Sequence, residues 1–385
     1  MFSSLVEFIR DTYGSNEFIP LHAPAFLGNE RNFVNETLDS TFVSSVGAFV
    51  DRFEHDIREL TGSQGAIATV NGTAALHAAM YLIGVRPGDL VITQALTFVA
   101  TCNAMFHMGA RPVFIDVAEQ SLGLCPRATD AWLKDNTELR EDGSCYHRAS
   151  GARVAAVVPM HTFGHPVEFD ELAAVCKRWQ LPIVEDAAEA LGSQYRDRHA
   201  GTLADYGVLS FNGNKIITTG GGGMVLCQSA ENSARAKHLT TTAKVSHPWE
   251  FFHDEPGFNY RLPNLNAALG CAQLEMLPTF LQQKRELARH YATYFEAGDL
   301  SFVDEPAYAR SNFWLNAVIC PDAESRDQLL TETNADGVMT RPIWKLMHRL
   351  PMYADALRGD LSVSERIEAT LVNLPRSPTA IHQGC

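Results

Sequence analysis

The chain has 385 residues, of which 46% are apolar and 20% charged, and its formal net charge is −14. That length exceeds what one hydrophobic core usually serves, so two domains are expected, in a soluble globular protein of ordinary composition. The acidic balance argues against a general nucleic-acid or membrane-surface binder, which would show a basic face, and leaves room for a local pocket that takes a phosphorylated ligand.

From the N-terminus, residues 1–10 carry one short apolar patch with no basic stretch before it, so no signal peptide is read there. A turn at Asn71-Gly72 opens a helix over residues 73–82. Residues 90–93 and 112–116 are short buried strands. The stretches 154–159, 182–186, 207–211 and 223–227 are apolar runs rich in Val, Ile and Leu, with helical segments such as 168–180 between them. Strands alternating with helices predict an α/β domain with a mostly parallel central sheet and helices on both faces. Ligands on such sheets sit beyond the carboxyl ends of the strands, so residues just after each run are the ones to inspect. After Asn266 the character changes to two helices, 267–283 and 284–296, then a strand over 314–320 and a mixed tail. The expected division is a large domain over 1–265, with the N-terminal segment, and a smaller C-terminal α/β domain over 266–385. No apolar run reaches the roughly 18–20 residues of a membrane helix. Eight cysteines are scattered with no CxxC pair, which reads as reduced, cytoplasmic thiols rather than a zinc or thioredoxin-like motif.

Four places carry candidate chemistry. Asn71-Gly72-Thr73 feeds a helix whose first N–H groups and dipole suit a phosphate; an ordinary capped helix start uses the same residues. Glu185-Asp186 ends a buried strand, placing Asp186 where a carboxylate faces a ligand or, equally, where it caps a helix with Glu189 completing a capping box. No histidine is spaced for a metal there, so no metal is expected. Ser210 to Lys215 follows the next strand. Lys215 there suits a phosphate-binding or a Schiff-base lysine, but no P-loop pattern is present. Asn259 and Arg261 lie between aromatic residues, as a polar contact site or as a solvated loop.

Taken together, in this order and spacing, these segments resemble the DegT-type sugar-nucleotide aminotransferases of pyridoxal-phosphate fold type I, over residues 18–375. The matching stretches include Thr97-Phe98 and residues 71–76, 159–164, 185–192, 210–215 and 257–270. The strings SFNGNKIITTGGGG (210–223) and TRPIWKLMH (340–348) are similar to the branch that makes 4-amino sugars toward bacillosamine and legionaminic acid. The resemblance implies pyridoxal 5′-phosphate as cofactor, with Lys215 as the lysine that carries it and Asp186 facing its ring nitrogen. It implies that Phe98 stacks on the ring, that Glu189 lies near it where relatives often have Gln or His, and that Gly72, Thr73 and Ser210 hold the phosphate. Asn259 matches a phosphate contact reaching in from a neighbouring subunit, so a homodimer with shared active sites is implied. Arg341 and His348 match a segment near the sugar nucleotide, and His161 is expected only to pack or hydrogen-bond behind the site. The implied reaction moves an amino group from L-glutamate to C4 of a UDP-linked 4-keto-6-deoxy-N-acetylhexosamine, for bacterial surface glycans such as lipopolysaccharide. The alternatives are a GDP- or dTDP-linked 4-keto or 3-keto sugar and a non-catalytic regulatory relative. A dehydratase on the same scaffold would replace Lys215 with His, and a dinucleotide-binding protein would need a GxGxxG motif that is absent.

Overall fold

The computed structural model describes residues 2–378. The central sheet runs in the order Gly65–Thr69, Gly223–Cys227, Tyr206–Ser210, Val184–Asp186, Arg153–Val158, Leu90–Gln94, Arg111–Ile115. Only Gly223–Cys227 runs antiparallel to its neighbours in that series. The junction between Val184–Asp186 and Arg153–Val158 is made by the amides of Val157 on Pro182 O and Asp186 on Pro159 O, at 3.0 and 2.9 Å. The strands read as near-continuous apolar runs because both faces are covered, as parallel sheets require. The helix Gly72–Leu82 packs on one of these faces, sharing an apolar cluster with Ile67, Val208 and Val225.

Each expected strand is present to within about two residues, the usual scatter of element ends. The two helices expected over 267–296 are instead one continuous helix, Asn264–Phe295, with Pro278 inside it. Its buried positions Leu277, Phe280, Lys284, Leu287, Tyr291 and Phe295 keep helical spacing straight through the expected break. Lys284 is buried at 1% exposure and donates from Nζ to Arg376 O at 2.8 Å, which docks the helix on the C-terminal segment. The expected strand over 314–320 is shorter, Asn316–Ile319. It lies in an antiparallel sheet ordered Ser301–Phe302, Asn316–Ile319, Leu371–Leu374, Arg341–Pro342. The first helix, Ser3–Tyr13, packs Leu5 and Ile9 into the cluster that holds Leu287, Val318 and Val372. Among the described residues, the seven cysteines are free thiols and no helix is long and apolar enough to cross a membrane; Cys385 lies outside the described residues.

Candidate active site

Beyond the carboxyl ends of the sheet lies a cavity of about 270 Å³. Four strand exits and the start of the helix Gly72–Leu82 converge on it, and they bring together Gly72, Thr73, Phe98, Asp186, Glu189, Ser210 and Lys215 from the candidate residues of the sequence. At its floor, Asn71 caps the helix Gly72–Leu82, its side-chain oxygen accepting from the Ala74 amide at 2.8 Å. The amides of a helix's first turn have no acceptor within the helix, so this end of the cavity is electropositive. Gly72 lies tight against Ser210: a first side-chain carbon there would fall 3.0 Å from Ser210 Cβ.

Asp186 ends its strand in a turn, with no helix after it, so it caps nothing. Its carboxylate is almost fully buried, at 3% exposure. Thr101 Oγ1 donates to Oδ2 at 2.7 Å and the Ala188 amide to Oδ1 at 3.2 Å. Burial pushes the Asp186 carboxyl above its ordinary range, and Thr101, Ala188 and the charge of Lys215 pull it back.

Lys215 follows a tight turn closed by its own amide on Asn212 O at 2.9 Å. Its Nζ stands 3.5 Å from Glu189 Oε1 and 4.1 Å from the ring centre of Trp314. Burial lowers its amine from the ordinary lysine value, opposed by the charges of Glu189 and Asp186. Trp314 is fixed by its indole N–H on Asn214 O at 2.7 Å. Its carbonyl accepts from Arg376 Nη1 at 2.6 Å, and the Arg376 guanidinium carbon lies 4.2 Å from the ring centre. Phe98, 46% exposed, meets the Trp344 ring at 6.0 Å between centres.

Behind the cavity, His161 Nε2 lies 2.9 Å from Glu185 Oε2, and its Nδ1 accepts from the Val167 amide at 3.2 Å. That acceptance puts the ring proton on Nε2, which donates to Glu185. Glu185 itself accepts from the amides of Gly201, Leu203 and Ala204. Both ring nitrogens of His161 are thus hydrogen-bonded behind the cavity.

Three expected site residues are not brought to the cavity within this chain. Asn259 is exposed, accepting from Arg261 Nη2 at 3.3 Å. Arg341 lies on the edge strand Arg341–Pro342, held by Asn334 Oδ1 at 2.9 Å and the Thr340 carbonyl. His348 sits 3.6 Å from Glu365 Oε1 in a short helical turn. From the segment 340–348, the residue that lines the cavity is Trp344. Thr101, Trp314, Trp344 and Arg376 were not singled out in the sequence, because their roles arise from contacts with residues far away along the chain.

Residues 27–382 match the DegT/DnrJ/EryC1/StrS aminotransferase family. The chain is 32% identical over 363 residues to the GDP-perosamine synthase of Escherichia coli O157:H7, covering 94% of each chain. It is 33% identical over 340 residues to the putative pyridoxal phosphate-dependent aminotransferase EpsN of Bacillus subtilis, covering 88% of this chain and 84% of that one. Among solved structures, the aminotransferase TlmJ from Streptoalloteichus hindustanus superposes with a TM-score of 0.83 at 29% identity, over 95% of this chain and 94% of that one.

Proposed function

The chain belongs to the DegT/DnrJ/EryC1/StrS aminotransferase family, a sugar aminotransferase of pyridoxal-phosphate fold type I, and on that premise we propose that it aminates C4 of a nucleotide-linked 4-keto-6-deoxyhexose with L-glutamate as donor. The observation that carries this reading is the convergence of Lys215, Asp186 and the Gly72–Leu82 helix start on one cavity.

The residues present fit pyridoxal 5′-phosphate. A capped helix start with a glycine pressed against Ser210 suits a phosphate, and a buried carboxylate suits a protonated ring nitrogen. Gly72, Thr73 and Ser210 would hold the phosphate, Asp186 would pair with the ring nitrogen, Phe98 would cover the ring and Lys215 would be the attachment point. The cofactor supplies the electron sink that lets an amino acid's α-proton be removed. Lys215, desolvated and so deprotonated more readily than an exposed lysine, moves that proton. Thr101 and the Ala188 amide favour the ionised form of Asp186 against its burial, and as a carboxylate it would stabilise a positive charge on the group opposite it. Trp314 and Trp344 line the cavity with aromatic faces, and the Lys215 amine lies over the Trp314 ring.

Exposed Asn259 is proposed to complete the cofactor site of a partner subunit in a homodimer, which would explain why it serves no cavity in its own chain. A division into two units near residue 265 is proposed on the same footing. For the nucleotide, a GDP-linked sugar is supported by the name of the Escherichia coli relative, and a UDP-linked N-acetyl sugar by the segments 210–223 and 340–348. The deciding experiment incubates the holoenzyme with glutamate and GDP-, UDP- and dTDP-linked 4-keto-6-deoxy sugars, read by mass spectrometry. Exchange of the keto oxygen for an amino group in any one fixes the nucleotide, and no amination of any refutes the proposal.

A further inference from the structure

Glu189 is buried at 2% exposure, lines the same cavity as Lys215, and divides its two carboxylate oxygens between different partners. Oε2 accepts from the Phe163 amide at 3.0 Å. Phe163 presents that amide from a left-handed conformation, φ 59° and ψ 12°, which costs a side-chain-bearing residue about 1–2 kcal/mol. The next residue, Gly164, has φ 92°, and a first side-chain carbon there would fall 1.9 Å from Asn312 Oδ1. Asn312 in turn donates from Nδ2 to the Glu189 carbonyl at 2.9 Å. Backbone and carboxylate are thus both clamped, and Oε1 alone is left toward Lys215 Nζ at 3.5 Å.

The charged groups facing Glu189 are Lys215, Asp186 and Arg376. Burial pushes its carboxyl up to about 7, with Lys215 opposing. Burial also lowers the Lys215 amine, with Glu189 opposing. An isolated buried carboxylate and an isolated buried ammonium are both unfavourable, and one proton transfer removes both charges together.

We propose that Glu189 is a catalytic residue that carries the proton of Lys215. When the Lys215 amine is free, one Nζ–H bond breaks as an Oε1–H bond forms, so an ammonium and a carboxylate become an amine and a carboxylic acid with no change in net charge. The nitrogen lone pair so released accepts the proton from the substrate carbon, and the reverse transfer restores the ion pair. The use of this pair in turnover rests on the aminotransferase reading, but its existence does not.

The test therefore begins on the cofactor-free chain. The reactivity of the Lys215 amine toward a small acylating reagent is followed against pH, with the label quantified at Lys215 by peptide mapping, in the wild type, Glu189→Gln and Glu189→Asp. Glutamine keeps an acceptor for the Phe163 amide and loses the charge. The Lys215 midpoint should fall by about 1–3 units, the range for removing an opposite charge at close contact. Aspartate, with its oxygen withdrawn from Nζ, should give an intermediate midpoint. A second measurement needs no variant: infrared titration of the cofactor-free wild type should show a buried carboxylic acid with a midpoint of about 7. An unchanged Lys215 midpoint in Glu189→Gln, or no such acid in the wild type, overturns the proposal and leaves Glu189 as a bracket for Phe163. In the holoenzyme, Glu189→Gln should lose the limb of the kcat profile near that pH. Failure of the substrate assignment would abolish wild-type turnover while leaving the labelling result intact, so the two failures are distinguishable.

Discussion

Replacing Thr101 with valine removes a single oxygen from beneath the site and nearly preserves shape. Thr101 is 1% exposed, and its hydroxyl donates to Asp186 Oδ2 at 2.7 Å, in a chain that continues to Thr97 Oγ1 at 2.8 Å. A hydrogen bond to a charged group contributes about 1.5–3 kcal/mol. Thr101 favours only the ionised form of Asp186, so its loss should raise that carboxyl by about 1–2 units at 1.36 kcal/mol per unit. Burial already pushes Asp186 above its ordinary range, so the loss of Thr101 acts in the same direction. If the ionised carboxylate is the working form, the acid limb of the kcat–pH profile must move to higher pH by that amount. Thr101→Ser, which keeps the hydroxyl, should leave the limb in place. Profiles of kcat for the two variants and the wild type, with cofactor content measured in each, provide the assay. An acid limb that stays put in a Thr101→Val enzyme with full cofactor would refute the claim that Thr101 holds Asp186 ionised.

Other substitutions test separate parts of the account. Glu189 is raised from 4.5 to about 7 in the folded chain, so the folded state binds more protons than the unfolded between those values. Its contribution to stability is full below pH 4.5 and is lost as pH rises through 7; Glu189→Gln should flatten that decline in cofactor-free protein. An unchanged slope of stability against pH would contradict this. Gly207→Ala puts a carbon 2.0 Å from the Gly201 carbonyl oxygen, where only backbone could yield; overpacking of this kind costs about 1–3 kcal/mol or more. Thermal melts should show a large loss there and almost none for Gly298→Ala, which meets nothing within 4 Å. Asp116 accepts from the amides of Ser364 and Val363 at 2.7 and 2.9 Å, tying the start of the helix Ser362–Thr370 to the large sheet. Asp116→Asn should cost about 1–3 kcal/mol and speed hydrogen exchange in that helix, while unchanged exchange would show that the tie is dispensable. Mixing Lys215→Ala with Asn259→Asp and allowing subunits to reassociate should restore up to roughly a quarter of wild-type activity if Asn259 acts across a two-fold interface. No recovery, with mixed dimers demonstrated, would return Asn259 to being a loop residue.

The parts of the site that could be read in the sequence are those built by one strand and its following turn. Asp186, Ser210 and Lys215 each stand at or just beyond a strand end, and Gly72 and Thr73 open a helix, so local pattern marks them as positions to inspect, and the structure brings them to one cavity. Thr101 and Trp314 belong to the site only through tertiary contacts, with Asp186 and with Lys215, that no local spacing encodes. In the segment 340–348, the cavity takes the aromatic Trp344, while Arg341 and His348, implied by the resemblance, lie against Asn334 and Glu365. The helix Asn264–Phe295 is continuous where two helices are expected, and Lys284 lies at the expected break. Its Nζ is buried against the Arg376 carbonyl, a partner 92 residues away.

The attachment of the cofactor to Lys215 is the claim on which the rest depends. Purified holoenzyme should show an imine absorption band that borohydride removes, and peptide mapping of the reduced protein should find the cofactor's mass on Lys215. A label on Lys237, Lys244 or any other lysine, with Lys215 unmodified, would contradict the account.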